Sequence, residues 1–185
     1  MFLYRVDNDL QLKLLSYEDA PAVFAMTEES RQYLREWLPW LDAITKEEDT
    51  KAYIRSSLHG YAEGTQMNTL ILYQGRPAGI AGFNQIDARN RTSYIGYWLH
   101  QPFQGLGIMT KAARGLTDYA ISELGMNRVE ISAAVENQKS RTVAEKAGYR
   151  YEGTRRQSEW LYDHFVDHAV YGMLAEEWEI NKVEI

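Results

Sequence analysis

The 185 residues include no cysteine, which excludes disulfides, thiolate nucleophiles and cysteine-built zinc sites together. No apolar run is long enough to cross a bilayer. The opening segment MFLYRVDNDLQLKLL is acidic where an export signal would need its cleavage site, so we expect no export, no membrane partner and a cytoplasmic protein. Excess positive charge is also missing: 20 Lys and Arg face 26 Asp and Glu, a net charge of -6. Gripping a phosphate backbone takes clustered Lys and Arg, so no nucleic-acid partner is expected. The charge suits a cationic partner such as an amine or a basic polypeptide, and solubility explains it as well. Repeats, low-complexity segments and linkers are lacking too. With 45% apolar and 25% charged residues the composition is globular rather than disordered, and residues 1–185 read as one domain.

The patterning predicts a mixed α/β domain whose central sheet is mostly antiparallel and flanked by helices. Residues 10–16 alternate as a first strand. Ser16 or Asp19 caps a helix over 20–30, with Pro21 in its first turn. Residues 31–42 continue helically until Pro39 breaks them. Thr45 and Glu48 form a capping box for a helix that stops at Gly64. Runs 67–74 and 77–87 flank the turn QGRP as strands. Run 91–99, RTSYIGYWL, is apolar or aromatic on both faces and is expected at the centre of the sheet. An amphipathic helix over 108–125, a strand over 127–135 and a short helix from Asn137 to Gly148 follow. A final hairpin pairs 149–160 with 163–174.

The segment QPFQGLGIMT, 101–110, lies between a strand and a helix. There the free backbone N–H groups and the helix dipole make an anion site, and glycine lets the backbone come close. An ordinary strand-to-helix turn would look similar. A nucleoside-triphosphate loop would need G-x-x-x-x-G-K-[ST], and that string does not occur. A dinucleotide fingerprint would have Gly or Ala where Thr110 stands. Its ribose-binding acid would be Glu130 by count, but that residue falls mid-strand.

Gln104 and Gly107 in QGLGIM resemble the Q/R-x-x-G-x-G/A signature of the GNAT N-acetyltransferases, with Met109 departing from the Gly or Ala of the pattern. NQKSRTVAEKAGY, 137–149, resembles the second signature of that family, in which an Asn opens a helix ending in E-K-x-G-[FY]. The element order is similar over nearly the whole chain. REWLPWLD and RQSEW resemble the branch that acetylates ribosomal-protein N-termini. The resemblance implies the GNAT-type acyl-CoA N-acyltransferase fold, acetyl-CoA as cosubstrate and no metal. It implies a CoA site built from Leu99, Gln104, Gly105, Leu106, Gly107, Ile108, Met109, Thr110, Lys111, Asn137 and Ser140. The backbone N–H groups from Leu106 to Lys111 would hold the pyrophosphate, and Asn137 the pantetheine amide.

Acetyl transfer from a thioester needs a neutral amine, a donor for the tetrahedral oxyanion and a proton or hydrogen bond for the leaving thiolate. The family's usual tyrosine acid is replaced by Ala144, and the branch resemblance gives that role to Ser140. It makes Glu159 the general base, where desolvation beside Trp160 would suit a base near neutrality and a solvated strand glutamate would look the same, and the Leu99 N–H the oxyanion donor. Trp37, Leu38 and Trp40 would wall the acceptor site, though large aromatics also serve as core. Glu36 and Asp42 stand near enough in sequence to meet a cationic acceptor. His164 and His168 share a strand face but lie too far apart for one ion, and His59 and His100 are isolated. The acceptor is read as a protein N-terminus, with a small amine (polyamine, aminoglycoside or dipeptide) as the alternative. A non-catalytic CoA-binding sensor is the alternative of another class. The aromatic load is compatible with a homo-oligomer.

Overall fold

The doubly apolar run RTSYIGYWL becomes strand β5 (Thr92–Leu99), in the interior of the sheet as its two-faced pattern requires. The computed structural model describes residues 3–183. Before β5 come β1 (Leu3–Arg5), β2 (Leu10–Leu14), helices α1 (Ala20–Glu29), α2 (Arg31–Arg35) and α3 (Glu47–Ala62), then β3 (Met67–Tyr73) and β4 (Arg76–Asp87). After it come α4 (Ile108–Ser122), β6 (Arg128–Ala134), α5 (Gln138–Lys146), β7 (Arg150–Leu161), β8 (His164–Leu174) and α6 (Ala175–Val183). The sheet order is β1-β2-β3-β4-β5-β6-β8-β7. Among the described residues only the β5–β6 pair is parallel, because α4 carries the chain back between them.

Each face of the sheet buries its own core. Ile71, Phe83, Ile95 and Ile131 pack under Ile108, Ala112 and Leu116 of α4 and Ala144 of α5. Leu70 and Ile80, on the opposite face, pack under Val23 and Met26 of α1 and Ile54 of α3. Leu70 and Ile71 go to different cores because neighbouring strand residues point to opposite sides.

The parallel pairing lasts only from Thr92↔Arg128 to Ile95↔Ile131. Beyond it, β5 stays with β4, ending in a His100 N–H bond of 2.8 Å to Ala78 O. Likewise β6 stays with β8, ending in a Val135 N–H bond of 2.9 Å to Asp167 O. Each arm is held by its outer neighbour, so a wedge opens in the middle of the sheet. Arg141 fixes α5 across the β6 arm, donating to Val135 O and to Tyr171 Oη, each at 3.0 Å.

Several expectations are corrected. Strand β1 and helix α6 were not foreseen; β1 is three residues long, and α6 follows β8 with no glycine or proline between. The helical stretch after residue 30 ends at Arg35, before Pro39, and a single 3-10 turn follows at Leu41–Ala43. The box at the start of α3 uses Asp49, not Glu48: its carboxylate accepts from Thr45 N, Thr45 Oγ1 and Lys46 N. The same device operates before α1. There the buried Asp19 carboxylate accepts from Ser16 N at 2.8 Å, Ser16 Oγ at 3.0 Å and Lys13 Nζ at 2.5 Å. Replacing Asp19 by Ala orphans these donors and is expected to cost about 2 kcal/mol of stability, read by urea unfolding.

Candidate active site

The wedge opens into a cleft of ≈ 630 Å³. One wall is the end of β5, Tyr97 to Leu99. Facing it are the glycine loop with the start of α4, and Asn137 and Ser140 of α5. A second cavity, of ≈ 650 Å³, lies on the α1 and α3 side and includes Val23, Thr27, Trp40, Tyr53, Ile80 and Asn84. The two share Leu38, Tyr97 and Trp98, so they meet where the sheet divides.

The glycine loop is anchored before it turns. Gln101 N–H bonds the buried Ser30 Oγ at 3.0 Å, and Phe103 packs edge-on against Tyr73 with ring centres 6.3 Å apart. Gly105 and Gly107 then take φ of +78° and +74°, where a side chain is strained. A Cβ at either glycine would meet nothing within 4 Å, so the glycines answer to backbone shape and leave the loop face open. Gly107 caps α4, and the N–H groups of Ile108, Met109 and Thr110 have no carbonyl one turn back to bond. These donors, with the helix dipole, could hold an anion. The Met109 side chain is buried in the core, so a methionine at this motif position leaves the loop face open. Lys139 and Lys146 line the same cleft. Lys139 Nζ reaches Gln104 Oε1 at 3.4 Å, and Gln104 Nε2 is a buried donor with no protein partner.

Two residues of the expected cradle stand apart. Leu106 is 54% exposed and lines neither cavity. Lys111 N–H already makes the first turn of α4, to Gly107 O at 3.1 Å. Its ammonium pairs with Asp7 Oδ2 at 2.7 Å. That pairing holds the Asp7 carboxyl below the usual range and the Lys111 amine above it.

Asn137 Oδ1 accepts from Ser140 N at 3.1 Å, capping α5. Its amide nitrogen is therefore what Asn137 can offer a ligand. Ser140 Oγ donates to Tyr97 Oη at 3.1 Å, and Tyr97 Oη donates to Ser140 O at 3.0 Å. Burial pushes the Tyr97 phenol well above its ordinary pKa. Because His100 pairs by hydrogen bond with Ala78, alternation along the ladder turns the Leu99 and Tyr97 N–H groups away from β4 and into the wedge. Ala144 is fully buried and presents no polar atom.

Trp37 lines the first cavity, Trp40 the second and Leu38 both. The segment is pinned from the β7–β8 hairpin, where Tyr162 Oη donates to Leu38 O at 2.6 Å. Asp42 is not a free acid: Arg35 bonds it twice, at 2.9 and 2.8 Å, and stacks over the Tyr162 ring. Glu159 lines neither cavity. Its carboxylate meets His168 Nε2 at 3.2 Å, while Trp160, expected beside it, packs edge-on against Phe165. Among the described residues no group of three His, Asp or Glu could hold a metal, and no helix is long and apolar enough to cross a membrane. Tyr97 and the cleft lysines were missed in the sequence. The only available signal was a tyrosine in the strand running into the glycine loop.

Residues 9–150 match the acetyltransferase (GNAT) domain family. The chain is 33% identical to a putative ribosomal N-acetyltransferase of Bacillus subtilis, over 98% of this chain and 100% of that protein. The chain belongs to the GNAT acetyltransferase family. It is thus an acyltransferase, and its GNAT fold recurs in solved structures. One is a ribosomal L7/L12 alpha-N-protein acetyltransferase in complex with coenzyme A, with a TM-score of 0.90 and 29% identity, covering 95% of this chain and 99% of that one. Another is a microcin C7 self-immunity acetyltransferase in complex with acetyl-CoA and AMP, with a TM-score of 0.88 and 28% identity, covering 91% and 94%. In the first, coenzyme A is joined to a cysteine by a disulfide; this GNAT chain, having no cysteine, offers no such attachment.

Gly107 is held at a φ of +74° with open space about it, so Gly107→Ala introduces strain without a clash. The expected loss is about 1 kcal/mol in urea unfolding.

Proposed function

We propose that this protein is an acetyl-CoA-dependent N-acetyltransferase acting directly on the α-amino group at the N-terminus of a ribosomal protein. The observation that carries the reading is the wedge between β5 and β6, with a glycine-opened helix N-terminus on one side and Ser140 within the same cleft. The residues present fit acetyl-CoA. The N–H groups of Ile108, Met109 and Thr110 suit the pyrophosphate, with Lys139 and Lys146 nearby as cations. The inward N–H groups of β5 offer a strand-like edge to an extended pantetheine chain, which the Asn137 amide nitrogen would also reach. The similar structures bound to CoA and acetyl-CoA support the same cosubstrate.

In this reading the acceptor enters from the second cavity, past Trp40, Leu38 and Trp37, and meets the thioester at the shared throat. The net charge of -6 favours approach of a cationic N-terminus. An α-amino group, with a pKa near 8, has to lose its proton before attack. Glu159, paired with His168, is the proposed base and acts through water, since it lines neither cavity. The new C–N bond forms and the oxyanion is held by the Leu99 N–H. As the C–S bond breaks, the nitrogen's second proton leaves to water and the Ser140 hydroxyl gives the departing thiolate a hydrogen bond. A ribosomal acceptor places the reaction in the cytoplasm.

A small amine acceptor is the second reading, favoured by the similarity to the microcin C7 self-immunity enzyme with AMP bound. Mass spectrometry of ribosomal proteins incubated with enzyme and acetyl-CoA separates the two. One protein is expected to gain one acetyl group at its N-terminus. Unchanged ribosomal proteins with acetyl-CoA still bound would turn the search to small amines. Absence of turnover with every amine would favour a sensor. For the base, Glu159→Ala is expected to lower kcat by about a hundredfold with little change in KM for acetyl-CoA; unaltered turnover would remove Glu159 from that role.

A further inference from the structure

We propose that Tyr97 is a positioning residue for acyl transfer: its phenol oxygen holds the Ser140 hydroxyl at the throat of the wedge, aimed for the leaving sulfur. The inference rests on the reading of Ser140 given above. Its basis is an accounting of protons between the two residues. The Ser140 carbonyl can only accept, so the bond of 3.0 Å commits the Tyr97 proton to it. The Tyr97 oxygen is left as an acceptor, and the Ser140 hydroxyl fills that place at 3.1 Å. With Ser140 N held by Asn137 at 3.1 Å, all three polar groups of Ser140 are fixed. Two of the three are fixed by one phenol.

The placement gives this pair a use in the reaction. Tyr97 lies two residues beyond the last parallel pairing, Ile95 with Ile131, and lines both cavities. Its hydroxyl links the β5 arm to α5, which Arg141 ties to the β6 arm. Negative charge on sulfur would be a stronger acceptor than a neutral phenol. The Ser140 proton can then turn from Tyr97 to the sulfur by rotating only its O–H bond, with the side chain already in place. The burial that raises the Tyr97 pKa keeps the phenol protonated, so its proton stays directed at the Ser140 carbonyl and its oxygen remains a weaker acceptor than a thiolate.

The test uses the purified full-length protein with coenzyme A itself, so it needs no knowledge of the acceptor. The thiol of bound coenzyme A is titrated by its ultraviolet thiolate absorbance in the parent, Ser140→Ala, Tyr97→Phe and the double variant. We expect Tyr97→Phe to weaken thiol ionisation about three- to tenfold, as loss of one hydrogen bond's orientation allows. Ser140→Ala should weaken it at least as much, and Tyr97→Phe should add nothing to Ser140→Ala. In Tyr97→Phe the loss of thiol ionisation should exceed any change in affinity for desulfo-coenzyme A, which lacks the sulfur, whereas a strut that merely keeps the wedge open would alter both to the same extent. Should Tyr97→Phe not fold, fluorotyrosine inserted at position 97, a poorer acceptor of the same shape, is expected to shift the thiol in the same direction. The proposal fails if Ser140→Ala weakens ionisation and Tyr97→Phe does not, or if the two effects simply add. A Ser140→Ala protein identical to the parent overturns the role of Ser140 and with it this inference. Failure of the parent to bind coenzyme A overturns the proposed function itself.

Discussion

Two neighbouring strands that stop pairing in the middle of a sheet leave backbone donors and acceptors that need partners. Here that happens after Ile95 and Ile131, and the divergence is stable because each arm keeps its outer ladder, β5 with β4 and β6 with β8. The inner edges are then free to serve a ligand. The cleft, an inward Leu99 N–H with no strand beside it and the junction with the second cavity all follow from this one interruption. A fully paired β5 and β6 would close the sheet and leave the glycine loop facing a wall.

The other elements hold that interruption in shape. The loop from Gln101 to Gly107 is tied to Ser30 and to the aromatic core before its two left-handed glycines deliver it to α4. Helix α5 is bound to both arms, through Tyr97 to β5 and through Arg141 to the end of β6 and to β8. The tryptophan segment is held by Tyr162 reaching across from the β7–β8 hairpin. That bond joins residues 124 positions apart in sequence. The tryptophan segment therefore depends on a hairpin distant from the glycine loop.

The alternation of Val129, Ile131 and Ala133, the amphipathic run after Gly107 and the two-faced strand 91–99 made the sheet and its central strand legible. Local chemistry did the same for the glycine loop and the start of α4, because glycine at positive φ followed by a helix start is a short-range pattern. Where local signals competed, the choice went astray. Asp49 and Glu48 are equally fit to cap α3, and the carboxylate that could fold back onto Thr45 prevailed. Pro39 marks a break in a helix that had already ended at Arg35.

Composition, periodicity and the two glycine-bounded motifs thus determined a mixed α/β fold, a helix N-terminus suited to an anion and the absence of any cysteine chemistry. All of these are properties of a few consecutive residues or of the chain as a whole. Only the tertiary structure decided that Asp42 is already paired with Arg35, that Glu159 faces His168 rather than Trp160, and that a tyrosine from β5 meets Ser140 of α5. Such pairs are set by sheet register and by where the strands part. Tyr97 and Ser140 lie 43 positions apart, and no spacing along the chain encodes a distance that arises only when two arms of a sheet diverge.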